Sequence, residues 1–213
     1  MADEETEELE LELDASMVKD IIEAIEEQKE SWSPESLVHY GPARRTIAIW
    51  SEITNETVLP IISQIIELEH RSKDPIRIHL NTDGGSLSAA LALYDTMRMV
   101  ESEIVITATG MCASAGLLIL AGGDKRFCTR NAQFFYHQPV MQFGGEVLSS
   151  PQMSEIRDAY SKNQTVYDRV LRDRFAISDE DWSQNFDGKI AKYFYPDEAL
   201  SFGFVDEILP LGD

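Results

Sequence analysis

An α/β fold is predicted for this chain by three observations. Short apolar, β-rich runs alternate with helical stretches from about residue 45 onward. The strand runs are brief and the helical ones carry apolar residues three and four apart. The chain has 213 residues, 43% of them hydrophobic, which suits one substantial core.

Residues 1–35 precede that alternation and read as an acidic extension. The first 30 residues hold 13 acids against 2 bases. Residues 3–8, DEETEE, repel one another and stay open. ELELELD then alternates Glu and Leu with period two. Asp14 and Ser16 stand before Met17, Val18, Ile21, Ile22 and Ile25, one apolar stripe of a helix ending near Glu30. Two prolines and a glycine in residues 31–45 mark a linker, placed at 36–44, with the main domain at 45–213.

Thr46–Trp50 is the first expected strand. A helix is expected from Thr54 to Leu68, with Ile61, Ile62, Ile65, Ile66 and Leu68 inward and Pro60 marking a late start or a kink. Ile76–Leu80 is a strand, Asn81–Gly85 a turn, and Ser86–Val100 a helix. Ile104–Thr109 is a strand and Ala113–Leu120 a helix of small residues and leucines. Phe134–His137 is a strand and Met153–Phe175 a long charged helix. Tyr193–Leu211 holds a short helix and a closing strand.

Charge and composition exclude several function classes. With 38 acidic and 18 basic residues the net charge is -20, so nucleic acid would meet a like-charged surface and is not an expected partner. Two cysteines are too few for a disulfide scaffold and fit a reducing compartment. No basic segment followed by an apolar run opens the chain, and no apolar stretch reaches membrane-spanning length. The expectation is a cytoplasmic protein without a membrane partner. No metal-ligand cluster, P-loop or nucleotide-binding fingerprint is present, so no cofactor or metal is expected.

Three segments carry candidate chemistry. Asn81-Thr82-Asp83-Gly84-Gly85 follows a strand and opens a helix; its adjacent glycines suit either a tight turn or the presentation of backbone N–H groups to an oxyanion. Thr109-Gly110-Met111-Cys112-Ala113-Ser114-Ala115-Gly116 joins another strand to a helix. Ser114 there is either an N-cap or a nucleophile whose developing charge the helix N-terminus would stabilise, although no GxSxG motif is present. Phe134-Phe135-Tyr136-His137-Gln138-Pro139 ends an aromatic strand in a histidine, either a core residue or a general base for the serine. His39, His70 and His79 lack such a setting.

The order of these segments resembles the proteolytic subunit of the Clp protease, ClpP, within the ClpP/crotonase superfamily. It is carried by Gly84-Gly85, Ser114 in its small-residue turn, GGDKRFCTRNA, YHQP and the closing DEALSFGFVDEI, and runs from about Arg45 to Leu211. The resemblance implies repeated β-β-α units with a protruding long helix, a homo-oligomer of stacked rings enclosing the active sites, and a partner AAA+ unfoldase that feeds in polypeptide substrates. It implies a serine endopeptidase with Ser114 as nucleophile, His137 as base and the backbone N–H groups of Gly85 and Ala115 as oxyanion hole. Ala115 stands where most members have methionine, which keeps the donor but alters the pocket wall. Gly144-Gly145, before the long helix, is expected to form a substrate ledge.

The third member of the site departs from the family pattern. Counting back from Glu198-Ala199 puts Ala191 on the family's aspartate. Counting fifty residues on from His137 gives Asp187, which requires an insertion in the intervening segment and is the expected orienting carboxylate. Arg172-Asp173 is an Arg-Asp pair too far from the closing segment. A Ser/His dyad, a silent ring subunit and a crotonase-like enzyme acting on an acyl-coenzyme A remain the alternatives.

Overall fold

The computed structural model describes residues 45–138 and 149–210. The acidic extension, its helix, the linker and the Gly144-Gly145 ledge lie outside the described residues. Seven strands and six helices are described: β1 (Thr46–Ile49), α1 (Asn55–Arg71), β2 (Ile76–Thr82), α2 (Leu87–Met99), β3 (Ile104–Ala113), α3 (Gly116–Ala121), β4 (Lys125–Thr129), β5 (Gln133–His137), α4 (Ser150–Phe175), α5 (Asp179–Asn185), β6 (Ala191–Phe194), α6 (Pro196–Ser201) and β7 (Glu207–Leu209).

The main sheet runs β1-β2-β3-β4-β7, all neighbours parallel. One face of the central strands is fully buried, with Ile76, Ile78 and Leu80 of β2 and Ile104, Ile106 and Ala108 of β3 in the core, while Arg77 and His79 on the opposite face of β2 are exposed. β3 forks the sheet. Its first half pairs with β4, while Met111–Ala113 pair with Gln133–Phe135 of β5. β5 in turn pairs antiparallel with β6. The last residues of β3 and β5 are thereby side by side, which is where Ser114 and His137 sit.

Pro60 neither delays nor ends α1. The helix starts at Asn55, where Thr54 and Thr57 form a reciprocal capping box, and runs through Pro60 to Arg71. Burial of Val58, Ile61, Ile65 and Leu68 outweighs the one helical hydrogen bond that proline cannot donate. The helix end is bound by Arg45, whose guanidinium donates to the carbonyls of Leu68 (2.7 Å) and Asp74 (2.7 Å). Ser86 caps α2 by accepting from Ala89 N–H.

Two sequence expectations need correction around α3. The strand before it does not stop at Thr109 but continues to Ala113, and the helix begins at Gly116 rather than Ala113. Pairing with β5 holds the backbone extended, and Ser114 N–H continues that ladder by donating to Phe135 O (2.7 Å). Ser114 is therefore not an N-cap. β4, α5 and β6 are additional elements. β4 and β6 bury only Cys128 and Phe194 respectively, so they show no apolar alternation.

Candidate active site

Ser114 occupies the corner between β3 and α3 with φ 53°, a left-handed conformation unusual for a residue with a Cβ. Such an elbow lifts a side chain clear of both flanking elements. The corner is fixed on three sides. Ser114 N–H donates to Phe135 O, Leu117 N–H donates to Ser114 O (2.9 Å), and the buried Tyr167 hydroxyl donates to the same oxygen (3.0 Å).

The β2–α2 turn is built tightly against this corner. A Cβ on Gly84 (φ 100°) would lie 2.6 Å from Ser114 Cβ and 2.8 Å from Ala113 O. A Cβ on Gly85 (φ 142°) would lie 2.3 Å from Ile53 O. Only glycine fits the two positions. Asn81 latches the turns together, its Oδ1 accepting from Met111 N–H (2.8 Å), and Thr82 Oγ1 accepts from Gly84 N–H (3.1 Å). The N–H groups of Gly85 and Ala115 have no acceptor among the described residues, leaving two donors beside the serine.

Ser114, Ala115, Gly85 and His137 line one cavity of about 370 Å³, together with Asp83, Ser86, Leu87 and, from α4, Tyr160, Asn163 and Tyr167. The sequence-predicted nucleophile, base and both oxyanion donors are thus brought to one place. The three α4 residues were not among the sequence candidates. Their spacing of three and four along one helix face is the signal that would have found them.

Asp187 is not brought to His137. Tyr136 and His137 project to opposite sides of β5, as successive strand residues do. Asp187 belongs with the Tyr136 side, lining a different cavity of about 550 Å³ with Asp168, Arg172, Asp173 and Trp182. There Asp168 accepts from the Tyr136 hydroxyl (2.9 Å) and from Gln164 Nε2 (2.7 Å). Burial, helped by the negative charge of Asp187, holds the Asp168 carboxyl above its ordinary range. Burial and then Asp168 push the Tyr136 phenol up. Gly188, expected to turn Asp187 inward, does take positive φ (65°), yet Asp187 stays exposed. On the other side of β5, His137 Nδ1 lies 2.6 Å from the carbonyl oxygen of Gln138, and the residue paired across from it on β6 is Ala191.

The other two described histidines stay apart. His70 bonds Ile66 O within α1, and His79 is exposed on β2. Cys112 and Cys128 are buried and free, and burial raises both thiols, Cys128 to about 11, so neither is a thiolate nucleophile. Among the described residues no helix is long and apolar enough to cross a membrane.

Comparison with known proteins identifies the family. The family model described as Clp protease matches residues 35–211. The chain belongs to the Clp protease family. It is 35% identical over 168 residues to the ATP-dependent Clp protease proteolytic subunit 1 of Leifsonia xyli, covering 77% of this chain and 82% of that protein. It is 31% identical over 169 residues to the ATP-dependent Clp protease proteolytic subunit of Streptococcus agalactiae, covering 78% and 84%. Among solved structures, a mutant of ClpP1 from Listeria monocytogenes aligns with a TM-score of 0.70 at 26% identity, covering 80% of this chain and 94% of that one. The ClpP-like fold is thereby established, and with it a Clp-type peptidase subunit.

Proposed function

We propose that the chain is a serine endopeptidase that hydrolyses unfolded polypeptides inside a closed oligomer of its own copies, fed by a partner ATPase. The observation that carries the reading is the elbow: Ser114 at positive φ, in one cavity with His137 and with the N–H groups of Gly85 and Ala115, which have no acceptor among the described residues. In this reading His137 Nε2 takes the Ser114 Oγ proton as the oxygen attacks the scissile carbonyl. The resulting oxyanion accepts from Gly85 and Ala115 N–H. The imidazolium then protonates the leaving amine, and water enters by the reverse path. Assembly with other subunits and an ATPase partner are supported by the relatives' names as proteolytic subunits of an ATP-dependent protease. We place this activity in residues 45–213, in the cytoplasm, with residues 1–35 as an acidic extension. The position of Asp187 favours a second reading, a ring subunit whose own catalysis is weak.

Ser114→Ala tests the main reading. Cleavage of an unstructured fluorogenic peptide by the full-length protein should fall by at least about 10³-fold, with sedimentation still showing a species of more than about six subunits. Unchanged cleavage by the pure variant, or a persistent monomer in the parent, contradicts it.

A further inference from the structure

The face of β5 that carries His137 has an unfilled position beside the imidazole. β5 and β6 pair in antiparallel register, with Phe135 opposite Tyr193 and His137 opposite Ala191. The Phe135 and Tyr193 rings stack at 4.1 Å, which shows that the two strands present these side chains to the same face. Gln138 N–H donates to Ile190 O (3.1 Å), so the neighbouring pair 138/190 is a hydrogen-bonded one. The pair 137/191 is then of the non-hydrogen-bonded type, in which opposing side chains approach most closely. A side chain at 191 faces the imidazole at short range, and alanine offers it a methyl group.

The imidazole is nevertheless held. Its Nδ1 lies 2.6 Å from Gln138 O, and a carbonyl only accepts, so this contact is a bond from Nδ1–H. With the proton on Nδ1, the neutral ring keeps Nε2 as the basic nitrogen. Gln138 precedes Pro139, and a residue before proline is confined to extended backbone, which restricts where that carbonyl points. The aromatic ring of Phe135, 5.3 Å from the imidazole, packs on the same side.

We infer that the main-chain carbonyl of Gln138 is the positioning group for His137, that Ala191 leaves vacant the place of an orienting carboxylate, and that Asp187 takes no part. The inference rests on the serine-peptidase reading and deepens it. A carbonyl dipole fixes the tautomer as a carboxylate does, but it lacks the full charge that stabilises the imidazolium in the transition state. A site of this kind is slow by comparison with a complete triad; replacing the triad carboxylate by an amide, which loses the charge and also favours the wrong tautomer, costs about 10⁴ in turnover, and a carbonyl that keeps the right tautomer loses less. Ala191 is exposed, so a larger polar side chain is admitted there without displacing the core.

The test compares Ala191→Asp, Ala191→Asn and Asp187→Asn in the full-length protein, with assembly checked by sedimentation and turnover of an unstructured fluorogenic peptide followed across pH. Ala191→Asp should raise kcat by about 10–100-fold and move the acid limb of its pH profile up by about one unit, since a nearby anion favours the imidazolium. Ala191→Asn should stay within about twofold of the parent with an unmoved limb, because it offers Nδ1 another neutral acceptor where one already serves. Asp187→Asn should match the parent. Three results overturn the inference: no gain from Ala191→Asp, an equal gain from Ala191→Asn, or a tenfold loss from Asp187→Asn in intact assemblies. Absence of Ser114-dependent turnover in the parent and in every variant is a different failure, which removes the peptidase reading and this inference with it.

Discussion

Gly84→Ala perturbs the contact on which the site is assembled. The added Cβ would stand 2.6 Å from Ser114 Cβ and 3.1 Å from Ala115 N, the atoms that carry the proposed nucleophile and one proposed oxyanion donor. The first contact is about 0.8 Å inside ordinary van der Waals distance, so Ser114 and the β2–α2 turn must separate by a comparable amount. At φ 100° the alanine backbone is itself strained, by about 1–3 kcal/mol. In a chain of this size, roughly 2 kcal/mol lowers Tm by about 4–8 °C. Misplacing a reacting group by about 1 Å costs on the order of 10² in rate. The variant should therefore keep its fold below its lowered Tm, lose about 10²-fold in kcat and change KM little. Calorimetry and steady-state peptide cleavage on the same preparation check both effects. Parental kcat together with parental Tm would refute the close packing of the two turns as the basis of the site.

Other perturbations test the surrounding framework. Glu69 is held at a pKa of about 2 by its bond to Lys73 and then by Ser102, whose hydroxyl donates at 2.6 Å; it also accepts from the N–H groups of Glu101 and Ser102. A lowered carboxylate contributes stability above its unfolded pKa that is lost as pH falls. Glu69→Gln should thus melt about 2–5 °C below the parent at pH 7, the gap narrowing between pH 4.5 and 2, and a pH-independent gap would contradict this. Asp168 has the opposite sign: its raised carboxyl makes ionisation unfavourable to the folded state as pH rises. Asp168→Asn keeps an acceptor for Tyr136 and Gln164, and should melt at or about 1–3 °C above the parent at pH 7, with the difference gone near pH 3. Arg45→Ala frees the carbonyls of Leu68, Ser72 and Asp74 and should destabilise by about 2–3 kcal/mol in denaturant titration; a loss below about 0.5 kcal/mol would show that water replaces it without cost.

Much of the fold was legible because its longer strands bury a regular set of apolar side chains, every second residue of β2 from Ile76 to Leu80 and of the first half of β3. Ile76–Leu80, Ile104–Thr109 and Phe134–His137 are short segments rich in apolar residues between turn residues, and each lies in a strand. β4 and β6 were hidden for the reason that makes the others visible: they lie where little is buried, and their pairing is set by backbone bonds to β3, β5 and β7. The length of β3 was hidden too. Gly110 reads as a strand end, but its positive φ is accommodated beside Asn81, and pairing with β5 carries the strand on. Within the site, the serine, histidine and glycines were legible as ordered motifs. The proposed orienting group was not, because a main-chain carbonyl has no residue type to betray it. The arithmetic that favoured Asp187 counts positions along the chain, whereas the β5–β6 register decides which residue faces His137, and that residue is Ala191.

The central claim, that Ser114 is an activated nucleophile, is tested most directly by mapping a fluorophosphonate adduct on the native full-length assembly. The account predicts one modified residue per chain, Ser114, identified by peptide mass spectrometry, with labelling abolished by Ser114→Ala and slowed by at least about 10²-fold by His137→Ala. An assembly that takes up no probe, or one labelled equally well after Ser114→Ala, would contradict it.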